Sequence, residues 1–432
     1  MGRARERGLL VVAIAVGVGG SALVAFARGG TFDWAEPGSL PRQAAVWLQL
    51  GLAALLLHGW LARRRSTADE TLLPASIGLT AVGLTIIYSL SPTEAQAQVV
   101  WLWVSLGLLA LVVAALPSLD DLRQYTFLWG LATVLLLLAP MLFGREINGA
   151  RLWIDLGFVR LQPSEPAKLT LVLFLASYLS SARGGGLAGE AWRVGPFALP
   201  APRYLVPLVL MWAGAMLVLI TLRDLGTALL FFGTFICVVY AATGQARYLL
   251  GGMVSFALGA WAAAQAFGHV RGRITAWLNP WVEPTIGAGG YQIVQALFAV
   301  AAGGMTGVGL GFSQLANPLT GRLLFASTTD LPFAAVCEQV GVWGAAMVVG
   351  LYGFWVYRAL RLAVVQRDEF AGLLATGIAV LMALQSLVIM GGVVKLIPLT
   401  GITLPFVSYG GSSLLVNYVM LALLLRCAAE QP

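Results

Sequence analysis

The residues able to do chemistry lie in three polar segments of an otherwise apolar chain. In the first segment, Glu165 and Lys168 stand three residues apart, so they share one face of a predicted helix. Two interpretations fit this spacing. The two residues form an ion pair at a helix start, or Lys168 joins Arg151 and Trp153 in lining the mouth of a site for a sugar-pyrophosphate headgroup.

The second segment leads into an apolar run that carries two carboxylates at different predicted depths in the membrane. Asp330 precedes Pro332 at the outer edge of an apolar run, where an aspartate serves either as a helix cap or as a proton acceptor. Glu338 falls inside the same run. Because a charged side chain within a bilayer is costly, we expect Glu338 to be functional or bound to a partner group.

The third segment reads KLIPLTGITLPFVSYGGSSLL from Lys395 to Leu415. Its prolines and glycines break the apolar run, and irregular backbone at membrane depth is tolerated only where it faces protein or a wet cavity. We therefore predict that this segment lines a cavity, to which Ser408 and Ser412 contribute hydroxyl groups.

The composition of the chain indicates that lipid is its solvent. Of the 432 residues, 59% are hydrophobic and 10% are charged, too few ionisable groups to cover a soluble surface of that size. The net charge of +7 comes from Lys and Arg scattered among short loops, which favours anionic lipid and excludes nucleic acid as the partner. Cys237, Cys337 and Cys427 are far apart, so neither a disulfide framework nor a metal cage is indicated.

The apolar runs predict about twelve membrane spans, since one span needs about 20 apolar residues. The runs centre on residues 9–27, 43–62, 73–91, 98–116, 125–143, 166–181, 203–221, 224–242, 248–268, 333–357, 371–394 and 404–426. The bias of Arg toward alternate loops predicts that both termini face the cytoplasm. The chain is therefore predicted to be an all-α, multi-pass protein of the cytoplasmic membrane.

This orientation places two long segments outside, at about residues 144–165 and 269–332. They contain Arg151 and Arg273, although Arg and Lys are usually enriched in cytoplasmic loops. This exception indicates that these cations hold an anionic group on the outer side. Within the second segment, residues 290–311 are predicted to form an amphipathic or re-entrant piece with Gln292 in its polar stripe.

The order of these segments resembles that of the SEDS family, which includes RodA, FtsW and SpoVE. The resemblance covers roughly residues 73–427 and is carried by GARLWI and QPSEPAK, DLGTA, GYQ and GVGLG, TTD, and LPFVSYGGSS. The last string is the most specific. The chain departs from the family pattern near these motifs, with Arg223 where proline is usual and Gln339 where glutamate is usual, so it is identified as a divergent member.

The resemblance implies an architecture and an activity. The architecture is a SEDS core of ten membrane helices at residues 71–432, with a long external loop before the third-last helix. An N-terminal extension of about two further helices occupies residues 1–70. The activity is peptidoglycan glycosyl transfer from lipid II, in cell elongation, cell shape or cell division.

The resemblance also implies roles for particular residues. The essential carboxylate of the family falls on Asp330, which we expect to be the catalytic general base. Arg151, Lys168, Arg273 and Lys395 are candidates to stabilise the departing pyrophosphate, and a divalent cation, Mg²⁺ or Mn²⁺, is a further candidate. The expected substrate-binding residues are Arg151, Trp153, Glu165, Lys168, Arg273, Gln292, Glu338, Lys395, Ser408 and Ser412.

The implied partners are lipid II and lipid-linked glycan, a class B penicillin-binding transpeptidase and other elongation or division proteins. Two alternatives remain beside the enzyme: a flippase or transporter of lipid-linked precursor, and a catalytically weak scaffold for a transpeptidase. A flippase needs a polar path across the whole bilayer. Few charged residues fall in the middle of the predicted spans, which favours glycosyl transfer.

Overall fold

The structure is a computed structural model that describes residues 3–29, 39–63, 69–116, 118–147, 150–157, 160–183, 191–194, 197–200, 202–282, 290–315 and 326–429. Helices dominate, as predicted. They are α1 (Ala4–Ala27), α2 (Leu40–Arg63), α3 (Leu72–Leu90), α4 (Pro92–Ala115), α5 (Asp120–Arg123), α6 (Thr126–Phe143), α7 (Ser164–Arg183), α8 (Pro202–Thr221), α9 (Leu225–Thr243), α10 (Ala246–Ala266), α11 (Gly268–Leu278), α12 (Tyr291–Gly303), α13 (Pro332–Val365), α14 (Glu369–Val393) and α15 (Gly411–Ala429).

Ten of the described helices are long and apolar enough to cross a membrane, which confirms a multi-pass membrane protein. The two other predicted runs form α7 and α8; the apolar part of α8, Val206–Thr221, is shorter than in those ten. The long external loop before the third-last helix contains α11 and α12.

Short strands, which the all-α prediction did not include, occupy two of the connections between helices, the first polar segment and the connection between α7 and α8. Strands β1 (Arg145–Ile147), β2 (Ala150–Asp155) and β3 (Arg160–Leu161) form an antiparallel sheet in the order β1-β2-β3. Strands β4 (Ala191–Val194) and β5 (Phe197–Pro200) form a second antiparallel pair. Both sheets lie between membrane helices along the chain, where proline and glycine disfavour helix.

The chain divides into two compact units. The first contains α1 to α3, most of α4, most of α11, α12, most of α13 and α15; the second contains α5 to α10 and most of α14. The N-terminal extension therefore belongs to the first unit, where α1 packs on α2 and α3. At one crossing a Cβ on Gly17 would stand 2.5 Å from the Trp47 ring, so glycine lets the two helices approach closely.

Helix α13 is kinked where the external loop meets it. Gly341 has a φ of 71°, a left-handed conformation that glycine adopts without steric cost. Next to it, the Val342 N–H donates to Gly304 O at 3.0 Å, and Glu338 O accepts from the Val308 N–H at 2.9 Å. The backbone groups released by the kink are thus paired with the loop that follows α12.

Candidate active site

Asp330 lies at the end of a tight turn immediately before α13. The turn spans residues 326–330 and is closed by the Asp330 N–H, which donates to Ala326 O at 2.9 Å. The first helical bond of α13 runs from the Ala335 N–H to Leu331 O at 3.1 Å, so Leu331 occupies the cap position. The geometry therefore argues against Asp330 as the helix cap, because it stands one residue too early.

The third polar segment holds the turn in place by hydrogen bonds. The Ser408 hydroxyl donates to Thr329 O at 2.6 Å and accepts from the Leu404 N–H at 2.7 Å. The Tyr409 N–H donates to Thr328 O at 2.9 Å. Hydrogen bonds from residues 404–411 (LPFVSYGG) therefore fix the backbone just before Asp330. In this arrangement the Ser408 hydroxyl connects the third polar segment to the turn.

Two buried glutamines support the same segment, and the sequence analysis did not single them out. Gln98 on α4 donates to Ser408 O at 3.2 Å and accepts from the Gly410 N–H at 3.1 Å. Gln385 on α14 donates to Thr403 O at 2.7 Å. The available signal was an amide within or at the edge of an apolar run, because a polar side chain at membrane depth needs a partner.

A cation and a glycine lie next to Asp330. Arg273 on α11 donates through Nη1 to Thr400 O at 2.9 Å. A Cβ on the next residue, Gly401, would stand 3.5 Å from Asp330 Oδ2, so the guanidinium and the carboxylate both lie close to the 400–401 backbone. Burial raises the pKa of Asp330 to about 6, while a hydrogen bond from Thr329 and the positive charge of Arg273 act in the opposite direction.

Lys395 is anchored at the end of α11. Its backbone oxygen accepts from Trp277 Nε1 at 3.0 Å, and its Nζ lies 3.4 Å from Leu278 O. A cation at the C-terminal end of a helix interacts favourably with the helix dipole. Arg273 and Lys395 are thus both positioned by α11.

Unusual backbone conformations cluster in these segments. Ala326, Lys395 and Phe406 all have left-handed φ values, 60°, 60° and 64°, although none is glycine. Such conformations cost of the order of 1–3 kcal/mol each and persist where the surrounding structure enforces them, often at functional sites.

Glu338 is fully buried on α13 and is bound by the external loop. Its carboxylate accepts from the Ser313 hydroxyl and from the Gln314 N–H, the latter at 2.8 Å. The expectation of a partner-bound carboxylate agrees with these contacts, and a role in substrate binding stays a prediction. Gln292 is half-buried on α12 and Ser412 is buried in the first turn of α15; their contact with substrate also stays a prediction.

The remaining predicted residues belong to the second unit. Glu165 and Lys168 form an ion pair of 2.7 Å in the first turn of α7, where both side chains are buried. Arg151 and Trp153 lie on β2; the Arg151 side chain is exposed and its Nε is 3.7 Å from Glu146 Oε2. The geometry of Glu165 and Lys168 therefore agrees with the ion-pair interpretation. The binding of a substrate headgroup by these four residues stays a prediction.

The described residues contain no group of three or more His, Cys, Asp or Glu side chains arranged to hold a metal ion. Asp330 lies within the electrostatic influence of Arg273, and a nearby positive charge disfavours a metal that depends on protein ligands alone. Mg²⁺ is commonly held by one or two carboxylates together with substrate phosphates. A divalent cation would therefore fit here only with oxygens that the substrate supplies.

Comparison with known proteins gives a consistent set of relatives. Residues 70–432 match the family model of the cell cycle proteins FtsW, RodA and SpoVE. The peptidoglycan glycosyltransferase RodA of Mycobacterium tuberculosis strain H37Rv is 39% identical over 393 residues, covering 87% of this chain and 82% of that protein. The stage V sporulation protein E of Bacillus subtilis is 30% identical and covers 84% of this chain and 97% of that protein.

Solved structures agree with these matches. A chain from a peptidoglycan synthase complex, described for its structural coordination of polymerization and crosslinking, aligns with a TM-score of 0.66 and 28% identity over 84% of this chain and 99% of that one. The rod shape determining protein RodA of Thermus thermophilus aligns with a TM-score of 0.59 and 27% identity over 84% of this chain and 98% of that one.

Proposed function

This chain belongs to the FtsW, RodA and SpoVE family, and we propose that it is a peptidoglycan glycosyltransferase that polymerises lipid II into glycan strands. The curated relatives named above carry that activity in their names or belong to the same family. The observation that carries the proposal is the placement of Asp330, a carboxylate with a pKa of about 6 held beside Arg273 at the end of an ordered turn.

Asp330 is the proposed general base. The 4-hydroxyl of the acceptor sugar attacks the anomeric carbon of the donor and gives its proton to the Asp330 carboxylate. A new glycosidic C–O bond forms, and the bond from the anomeric carbon to the lipid pyrophosphate breaks. A base works best when its pKa lies near the working pH, and burial moves Asp330 in that direction.

The leaving pyrophosphate gains negative charge, which nearby cations stabilise. Arg273 and Lys395 suit this role, because α11 and the 395–401 backbone hold them in the same unit as Asp330. Arg151 and Lys168 are further candidates. If Mg²⁺ or Mn²⁺ takes part, Asp330 and the substrate phosphates would hold it, and it would supply additional positive charge to the leaving group.

We place the protein in the cytoplasmic membrane with both termini in the cytoplasm and Asp330 near the outer surface. The positive-inside distribution of Arg supports this orientation. The proposed protein partner is a single-span class B penicillin-binding transpeptidase that crosslinks the new strand. The structural similarity to a chain of a peptidoglycan synthase complex supports that pairing.

Polymerisation in detergent micelles separates the enzyme from a flippase. Micelles have no second leaflet, so a purified protein that lengthens labelled lipid II into glycan must be a polymerase. We expect such a product, with the partner transpeptidase increasing its amount. No glycan in micelles, together with transfer of lipid II between leaflets of proteoliposomes, would instead support the transporter.

A further inference from the structure

Helices α8, α9 and α10 line a cavity, none of whose described lining residues has a role in the proposed reaction. Its volume of about 770 Å³ lies within the range of about 300–1,000 Å³ that is usual for ligand pockets. The lining is apolar and rich in aromatic rings; Trp212 packs against Phe232 and Phe235 with ring centroids 5.7 and 6.3 Å apart. Such a lining suits a hydrocarbon chain.

The cavity remains open because α10 is sparsely covered by protein. None of the α10 residues is buried. The helix nevertheless approaches α9 closely at one point, where a Cβ on Gly252 would stand 2.2 Å from Ile236 Cδ1. One tight contact therefore fixes α10 against α9, while the space beside it is left for another molecule.

One end of the cavity is polar and positively charged. Arg247 is exposed in the first turn of α10, and its guanidinium carbon lies 5.2 Å from the centre of the Tyr248 ring. Arg247 is the one charged residue among the described residues of the lining. The Trp212 indole N–H is buried and has no partner of hydrogen-bonding geometry among the described residues. The Tyr248 hydroxyl is also buried and interacts with the side chain of Arg247, which donates through Nη2 to Gln245 Oε1. Buried donors of this kind favour an oxygen-bearing ligand.

We propose that this cavity binds one anionic phospholipid. The phosphate contacts Arg247 and Tyr248, and an acyl chain runs along α10 toward Ser255. That stretch of helix is about 12 Å long, close to the roughly 15 Å hydrocarbon depth of one leaflet. Arg247 is predicted to face the cytoplasm, the side on which basic pockets between membrane helices bind anionic headgroups.

Native mass spectrometry of the delipidated full-length protein tests the headgroup. We expect phosphatidylglycerol to bind about fivefold more tightly than phosphatidylcholine with the same acyl chains, as one Arg near the headgroup region would give. Arg247→Gln should reduce this preference to within twofold. Arg367→Gln, which removes an exposed Arg from the α13–α14 connection, should preserve it. Equal binding of both lipids to the wild-type protein, or a preference that survives Arg247→Gln, would overturn the proposal.

A pair of glycine substitutions tests the location. A Cβ on Gly251 or on Gly259 meets nothing within 4 Å, so either glycine accepts a larger side chain, but only Gly251 lines the cavity. We expect Gly251→Leu to weaken the tightest phosphatidylglycerol binding at least tenfold and Gly259→Leu to leave it unchanged. Thermal unfolding midpoints equal to that of the wild type show that both variants are folded. Undiminished binding to folded Gly251→Leu would contradict this site, and neither outcome depends on glycosyl transfer.

Discussion

At the residue scale, the chemistry depends on the protonation of Asp330. Burial raises the pKa of this carboxyl to about 6 from its ordinary value of 3.8. A general base acts only when deprotonated, so the polymerisation rate should fall as the pH drops through about 6 and level off above about 7. A series of initial rates at fixed lipid II measures this profile. A rate that stays constant from pH 7 to pH 5 would be inconsistent with Asp330 as the base.

The same raised pKa predicts a cost in stability. The folded state binds the Asp330 proton more tightly than the unfolded state. The contribution of this carboxyl group to the free energy of unfolding therefore decreases as the pH rises from about 4 to about 6. Asp330→Asn removes a half-buried charge and should raise the free energy of unfolding at pH 7.5 by on the order of 1–2 kcal/mol. Unfolding midpoints of both proteins at pH 7.5 and pH 5 measure the effect. The difference should shrink at the lower pH, and a difference independent of pH would contradict this origin.

Gln98 offers a test of how the turn before Asp330 is held. Its amide pairs with Ser408 O and with the Gly410 N–H, and its removal would leave one buried and one part-buried backbone group without that partner. Gln98→Ala should therefore reduce the free energy of unfolding by about 1–3 kcal/mol and lower the polymerisation rate. Gln96→Ala, an exposed change two residues earlier on α4, is the control. Equal effects of the two changes would show that the Gln98 hydrogen bonds to Ser408 and Gly410 do not contribute to stability or activity.

At the element scale, the C-terminal end of helix α1 contacts α3 of the first unit. Arg28, which caps α1, donates through Nη2 to Ser89 O at 2.8 Å. The Ser89 hydroxyl accepts from Gln339 Nε2 at 2.8 Å, and Gln339 Oε1 accepts from the Gly311 N–H at 2.9 Å. The extension is thus linked through α3 to the loop that follows α12.

This linkage predicts that Arg28→Ala loosens the loop. Amide hydrogen exchange of residues 307–315 should accelerate by about tenfold or more, because local opening becomes easier when a supporting contact is lost. Exchange within α14 should stay as in the wild type. Arg7→Ala, an exposed change at the opposite end of α1, should not affect the loop. If Arg28→Ala leaves the amide hydrogen exchange of residues 307–315 unchanged, α1 does not stabilise this loop.

Sequence patterns predicted some elements and missed others for physical reasons. Run length and hydropathy predicted the spanning helices, because lipid imposes a fixed length on a helix. The kink at Gly341 and the role of Gln98 were missed, since both depend on hydrogen bonds between segments far apart in the chain. The strands at residues 145–161 were missed because short hairpins carry a weak periodic signal.

At the scale of the whole molecule, the predicted site residues divide between the two units. Asp330, Arg273 and Lys395 fall in the first unit, and Arg151, Glu165 and Lys168 fall in the second. The family motifs contain Asp330, Arg151, Glu165 and Lys168, whereas Arg273 was selected from the charge of its long loop and Lys395 from its place in the third polar segment. Motif order alone could not show which of them share a compact unit, because each motif is separated from the next by one or more membrane helices.

The most direct test of the account is glycan synthesis by purified protein in which Asp330 is replaced by asparagine. Asparagine keeps the size of the side chain but cannot take the acceptor proton, so we predict a rate at least about 100-fold below wild type, the usual minimum contribution of a general base. Asp121→Asn, at an exposed position on α5, should retain the wild-type rate. A folded Asp330→Asn protein that polymerised labelled lipid II within threefold of the wild-type rate would contradict the assignment.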